Sequence, residues 1–392
     1  MTSCYLNKLG ILCSIGNSAE EVVAHLRSGR SGLTVTESYS KGNPLPLGLC
    51  DYSLPEIPLP ELKWKSRNNQ FALAALQQMK EDVDAAIQRY GVNRIGVVIG
   101  TSTSGLAESE AAVRQWVKEE TVSDSYDYAM HEMGAAAQFI ARLLGTTGPC
   151  YGISTACSSG AKAIATAKRL VQAGLCDAVI AGGVDTLCQL TVLGFSSLEA
   201  VSNEICNPFS RNRKGINIGE GAALFLVSAE PVGVELCGAG EGSDAHHISA
   251  PDPTGSGANR CMTAALVDAG VSADEVGYVN LHGTATELND QMESIAMNQV
   301  FGPTTPCSST KPYTGHTLGA AGAIEAGICW LLLETNNAFL PAHLWDGEAD
   351  PYLPEINLIA KQLDEEVSLN YALSNSFAFG GNNISLLLGK LL

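Results

Sequence analysis

The chain has 392 residues, 45% of them hydrophobic and 40 of them glycine, and a formal charge of −18. It is long enough to bury a large core in two domain-sized units, and its charge argues against nucleic acid as a partner. No run approaches the roughly 20 apolar residues of a membrane helix, the opening MTSCYLNKLG lacks the basic and apolar stretches of a leader, and the 12 cysteines show no paired C-x-x-C spacing, which points to a soluble, cytoplasmic, reduced protein.

Short β-branched runs alternate with longer helical ones, the pattern of an α/β fold. Residues 5–13 predict an opening strand, and residues 17–28 a helix with Ser18 as N-cap and Glu21 three positions on in a capping box. The Pro-rich stretch 44–60 reads as an irregular loop. A 3.6-residue period predicts one helix over 71–90, and the continuous apolar run 95–100 a buried strand. Residues 150–155 read as a strand that ends at Cys157, after which the small residues of STACSSGAKAIATA (154–167) continue as a helix. DAVIAGG (177–183) is a second buried strand, 224–228 closes the first half, and a new strand starts near 231–236 with little linker. Gly-rich turns before apolar strands recur at 215–227 and 378–389, an internal echo of two related halves with a site between them.

Cys157 therefore sits where a strand hands over to a helix, whose positive end and free N–H groups favour a thiolate. Three further clusters lie in the second half. NLHGTATELND (280–290) reads as a strand ending at His282, SSTKPYTGHTLGAAG (308–322) puts Lys311 and His316 in one loop, and NSFAFGGNN (375–383) is a Gly-rich loop with two aromatics. His25, His131, His246, His247 and His343 read as ordinary hydrogen-bonded residues.

These clusters, in this order and spacing, resemble the β-ketoacyl-acyl carrier protein synthases of the elongating, Cys-His-His class within the thiolase superfamily. The likeness runs from LGILCSIGNSAEEVVAHLRSGRSGL (9–33) to the final FGGNN. It implies a five-layer αβαβα fold of two thiolase-like halves, 1–231 carrying the nucleophilic Cys157 and 232–392 carrying the two histidines. Its substrates are then malonyl and acyl thioesters of acyl carrier protein, and its assembly a homodimer or a heterodimer with a chain-length factor. Initiating synthases have Asn where His316 stands and thiolases use a second Cys, so His282 with His316 selects the decarboxylating branch.

A decarboxylative Claisen condensation needs a nucleophile to hold one acyl chain, donors for two oxyanions, and expulsion of CO2 without water. Cys157 carries the acyl group, and the N–H groups of Cys157 and Phe379 form the first oxyanion hole. His282 and His316 hold the malonyl thioester carbonyl as it becomes an enolate. By the same resemblance Lys311 and Glu325 set the local field, Asp290 supports the site, Phe377 opens the gate 377–381, and Thr103 lines the far end of the acyl pocket. Lys63, Lys65 and Arg67, with Arg211, Arg213 and Lys214, fall where the family contacts its carrier. No metal or organic cofactor is required.

The chain departs from the family at RNRKGI (211–216), at Glu287, at Ala378 and Asn382, and in lacking a helix over 229–234. None removes a catalytic group. Together they resemble the specialised synthases of aryl polyene-type pathways. The competing reading is a non-catalytic partner subunit of the chain-length-factor type, which typically lacks the nucleophile that Cys157 supplies.

Overall fold

The computed structural model describes residues 2–335, 339–361 and 368–391. β1 (Tyr5–Cys13) leads into α1 (Ala19–Ser28), whose N-cap Ser18 accepts the Glu21 N–H. The capping box closes one residue early, because the Glu21 carboxylate takes the N–H of Asn17 at 3.0 Å. A small two-stranded sheet of β2 (Thr34–Thr36) and β3 (Leu45–Leu47) follows. The helix expected over 71–90 is two helices, α2 (Arg67–Gln77) and α3 (Lys80–Tyr90). The break is made by tertiary bonds: the Gln78 amide donates to the carbonyls of Ile11 and Asn17, both at 2.9 Å, and accepts the Ile11 N–H, which outweighs the local helical period.

The remaining first-half elements are β4 (Ile95–Gly100), α4 (Leu106–Glu119), α5 (Ala135–Leu144), β5 (Cys150–Ile153), α6 (Ser159–Gln172), β6 (Ala178–Asp185), α7 (Gln189–Ser197) and β7 (Gly221–Ser228). Then come β8 (Val234–Ser243), α8 (Ser256–Ala269), β9 (Tyr278–Asn280), α9 (Glu287–Phe301), β10 (Pro306–Ser308), α10 (Lys311–Thr314), α11 (Ala321–Glu334), β11 (Asn357–Leu358), β12 (Tyr371–Phe377) and β13 (Asn382–Lys390).

Strand order repeats. The first half runs β1-β7-β6-β4-β5 and the second β8-β13-β12-β9-β10, with β11 added at its edge. β1 and β8 pair antiparallel through Tyr5 with Glu235 and Leu6 with Val234, which joins the two into one hydrogen-bonded sheet. α6 and α11 pack on each other and on strands of both halves, so the sheet folds back over them. α11 is buried from Ala321 to Leu333 on every face, as a helix between two sheets must be. α2 and α5 cover the outer face of the first half, and α8 and α9 that of the second. The result is the thiolase-like αβαβα arrangement of two related halves, in which the helices of the middle layer start at one face.

Candidate active site

Cys157 lies in the turn between β5 and α6, 7% exposed. Ala156 before it is held at φ 54°, a conformation that costs a residue with a Cβ about 1–2 kcal/mol. The turn is locked by hydroxyls: Ser159 Oγ accepts the Thr155 N–H at 2.9 Å and donates to the Ala156 carbonyl at 2.6 Å, and Ser158 Oγ donates to the Thr155 carbonyl at 2.9 Å. Burial pushes the Cys157 thiol up to about 11, and Lys311 and the N–H groups of Cys157 and Phe379 only partly offset it. The resting group is a thiol, not the helix-stabilised thiolate expected from the elbow alone. Position contributes less than expected because the site is dry.

The segment 309–320, between β10 and α11, carries Lys311 and His316, and His282 follows β9 in the loop before α9. His316 Nε2 lies 3.1 Å from Cys157 Sγ, and the N–H of Leu318 donates to His316 Nδ1 at 3.2 Å. Burial and the Lys311 charge hold His316 well below the usual histidine range, so the ring is neutral. With Nδ1 accepting, its proton sits on Nε2 and points at the sulfur. His282 is held the same way. Burial, Lys311 and His316 keep it neutral, and Lys311 Nζ, 3.3 Å from His282 Nδ1, can only donate. Its proton too is on Nε2. The rings stand edge to face with centroids 5.5 Å apart, and Phe377 packs on His282 at 6.1 Å.

Lys311 and Glu325, 1% and 3% exposed, form an ion pair at 2.5 Å, and Lys311 also donates to the His282 carbonyl. Burial raises the Glu325 carboxyl while Lys311 pulls it back. The sulfur and imidazole nitrogens of Cys157, His282 and His316 all lie within 4.8 Å of one another, close enough for three metal ligands. The neighbouring Lys311 cation and the protons on both Nε2 atoms suit this set to donating hydrogen bonds rather than to holding a cation.

Two positioning residues escape a reading of the sequence. Glu293, fully buried on α9, accepts the N–H groups of His282 and Gly283, both at 2.7 Å; burial raises its carboxyl to about 7. Its only signal is an acid sharing a stripe with Ala296 and Met297. Asn217 fixes the other histidine, its carbonyl accepting the His316 N–H at 2.6 Å. Asp290 accepts the Phe209 N–H at 2.7 Å, with its carboxyl raised by burial to about 6. It braces the loop beside the cavity without reaching the reacting groups.

A cavity of about 520 Å³ opens on Cys157, His282 and His316, lined also by Phe195, Leu198 and Phe377–Phe379. Phe379 is 39% exposed and meets Phe195 at a tilt, with ring centroids 5.9 Å apart. Ala378 is extended at φ −113°; the left-handed residues of this loop are Gly380 and Gly381.

Other expected residues sit elsewhere. Thr103 does not line this cavity. It is 1% exposed, and its hydroxyl donates to Asp185 at 2.8 Å. Arg67 is not free for docking, because its guanidinium grips the buried Glu220 through two bonds of 3.0 and 2.6 Å. Arg213, its side chain 7% exposed, is likewise held by Asp350 at 2.6 Å. Arg211 and Lys214 form exposed pairs with Glu348 and Glu204, and Lys214 stands at the cavity wall. Lys63 lies over the Trp64 ring and Lys65 donates to the Ile57 carbonyl.

A buried thiol faced by two neutral imidazole N–H donors, on this fold, defines a condensing acyltransferase. Comparison makes the class specific. Models of the beta-ketoacyl synthase N-terminal and C-terminal domains match residues 9–231 and 234–344, and the chain belongs to the beta-ketoacyl synthase family. It is 32% identical to a 3-oxoacyl-[acyl-carrier-protein] synthase 2 of Staphylococcus aureus over 97% of each chain. The structure of a ketosynthase in complex with its chain length factor from Xenorhabdus doucetiae matches with TM-score 0.95 and 46% identity, over 99% of this chain and 98% of that one. A beta-ketoacyl synthase from Burkholderia phymatum matches with TM-score 0.90 and 28% identity over the whole of both chains.

Proposed function

We propose that the chain condenses a Cys157-bound acyl group with malonyl-acyl carrier protein, giving 3-oxoacyl-acyl carrier protein and CO2. The observation that carries the residue assignment is the common tautomer: both histidines aim Nε2–H into the space beside Cys157 Sγ.

In the first step the Cys157 sulfur attacks the acyl thioester. A C–S bond forms, the carrier's C–S bond breaks, and the thiol proton leaves with the carrier's sulfur. The oxygen that gains charge meets the N–H groups of Cys157 and Phe379. In the second, the malonyl thioester carbonyl takes the Nε2–H of His282 and of His316. Its C–C bond breaks, CO2 departs, and the electron pair becomes an enolate held by two neutral donors near the Lys311 charge. The enolate carbon then attacks the acyl-Cys157 carbonyl, and the cysteine leaves as a thiolate that regains a proton. Water is kept out by the burial of all three groups, which preserves the enolate for the acyl carbon.

The reading extends to setting. The 46% identical chain from a ketosynthase and chain length factor complex supports a specialised, aryl polyene-type role with a second subunit of that kind. The edge strand β5 and the exposed Val113, Trp116 and Val117 of α4, an apolar face of the sort subunits cover, support the second subunit alone. Among the described residues no helix is long and apolar enough to cross a membrane, in keeping with a cytoplasmic enzyme. Lys63, Lys65, Arg211 and Lys214 remain the docking candidates for an acidic carrier. The test is incubation with acyl- and malonyl-carrier proteins followed by mass analysis: a 3-oxoacyl product two carbons longer supports condensation, and acyl-enzyme without elongation refutes it.

A further inference from the structure

Asp185 ends β6 with its carboxylate fully buried, and among the described residues its hydrogen-bond partners are all neutral N–H or O–H groups. Oδ1 accepts Thr101 Oγ1 at 2.6 Å, Ser102 N at 2.8 Å, Thr103 N at 2.9 Å and Thr103 Oγ1 at 2.8 Å. Oδ2 accepts Ser102 N at 3.0 Å and Gly319 N at 2.6 Å. The first set comes from the turn after β4, in the first half. Gly319 belongs to the second half and stands three residues after His316.

That last bond reaches the chemistry through one residue. Leu318, between His316 and Gly319, is held at φ 50°, and in that pose its N–H meets His316 Nδ1. Left free, a leucine would relax from this conformation, turning its N–H away and releasing the ring to either tautomer. The approach is close enough to require glycine: a Cβ on Gly319 would lie 2.7 Å from Asp185 Oδ2 and 2.8 Å from Ser102 N.

We infer that Asp185 is a positioning residue for His316: by gripping the Gly319 N–H it holds Leu318 in its left-handed pose, and so fixes the tautomer that presents Nε2–H to the thioester oxygen. The carboxylate needs both oxygens as acceptors. An amide in its place would set N–H against N–H on one side. The inference rests on the role proposed above for His316, and its tests separate the two.

Asp185→Asn should lower decarboxylation of malonyl-carrier protein by about 10- to 100-fold, the cost of unmaking a buried bond to a charged group, with acylation of Cys157 within about threefold of wild type. Gly319→Ala, which breaks the same contact from the other side, should give the same split. In a His316→Ala background, Asp185→Asn should cost nothing further, because the group it positions is gone. Nitrogen-15 spectra of labelled histidine should show the Nε2–H form of His316 in the wild type and mixed tautomers in Asp185→Asn. Equal losses in acylation and decarboxylation, additive losses in the double variant, or an unchanged tautomer would overturn the proposal. A His316→Ala enzyme that decarboxylates at the wild-type rate would instead overturn the assignment of His316, leaving the tautomer measurement to judge Asp185.

Discussion

The turn from β5 to α6 and the passage from β10 to α11 occupy corresponding places in the two halves. Both lead from a strand at the outer end of its half of the sheet into a middle-layer helix, and both deliver a reactive group to the same cavity. They differ in length and in how they are held. The first, residues 154–158, is a tight turn locked by the hydroxyls of Ser158 and Ser159. The second, residues 309–320, has room for α10, Lys311 and His316, and is held by charged or titratable groups: Glu325 on Lys311, Asp185 on Gly319, His343 on Ser309. A nucleophile needs only a sharp turn and nearby N–H groups. A pair of electrophilic histidines needs a fixed tautomer, and that takes a longer segment and buried charge to hold it.

The comparison breaks most completely at its first member. Cys157→Ala should lose condensation by at least about a thousandfold, with no acyl-enzyme by mass analysis, yet still release CO2 from malonyl-carrier protein. If CO2 release disappears as well, the division of work between the two passages is wrong. The complementary break is His282→Ala or His316→Ala. Removing one oxyanion donor should cut decarboxylation by about a hundredfold to a thousandfold, while acyl transfer to Cys157 survives.

What the sequence reveals follows the same division. Runs whose neighbours all point the same way are legible: β1 and β4 fall on the residues their apolar patterns predict. The Cys157, His282 and His316 motifs stand out because short polar residues and glycines crowd a strand end. The split between α2 and α3 is illegible because the Gln78 amide answers to Ile11, far along the chain. Arg67 reads as a surface cation until Glu220, 153 residues away, is seen to hold it. Glu293 and Asp185 are hidden for the same reason. The bonds that tie them to the histidine loops come from backbone N–H groups brought to them by the fold, and backbone carries no letter in a sequence.

The comparison sharpens at the buried pair, which has no equivalent in the first turn. Lys311→Met or Glu325→Gln should each destabilise the protein by about 3–5 kcal/mol, since each leaves a buried polar partner uncompensated. The double variant Lys311→Met with Glu325→Leu should recover much of that stability in urea titrations while decarboxylation stays low. Stability and activity then separate, and the charge is shown to serve His282. A double variant no more stable than either single would mean that the pair's cost lies in packing.

The smallest effect is also the one that distinguishes the two passages by pH. His343 Nδ1 accepts the N–H of Ser309 at 3.1 Å, and Nε2 lies 2.9 Å from the Pro208 carbonyl, which only a neutral Nε2–H tautomer can satisfy together. Burial lowers this imidazole to about 4, below its unfolded value of about 6.5. A group depressed in this way contributes stability that is present above pH 6.5 and is lost as pH falls through 4, by at most about 3 kcal/mol. Glu293, at about 7, and Asp290, at about 6, run the other way, since carboxyls raised by burial favour the fold as pH falls. The wild-type slope is therefore a difference of opposing contributions. Subtracting a His343→Gln variant removes those that both proteins share, and the stability gap between them should shrink as pH drops from 6.5 to 4. Ser159→Ala, which cuts the hydroxyl lock on the Cys157 turn, should cost about 1 kcal/mol at every pH in that window, because nothing it touches titrates there. Parallel urea titrations decide the matter: a gap for His343→Gln as flat as that for Ser159→Ala would show that the histidine passage is not held by a neutral imidazole, and the contrast between hydroxyl and titratable tethers would fall.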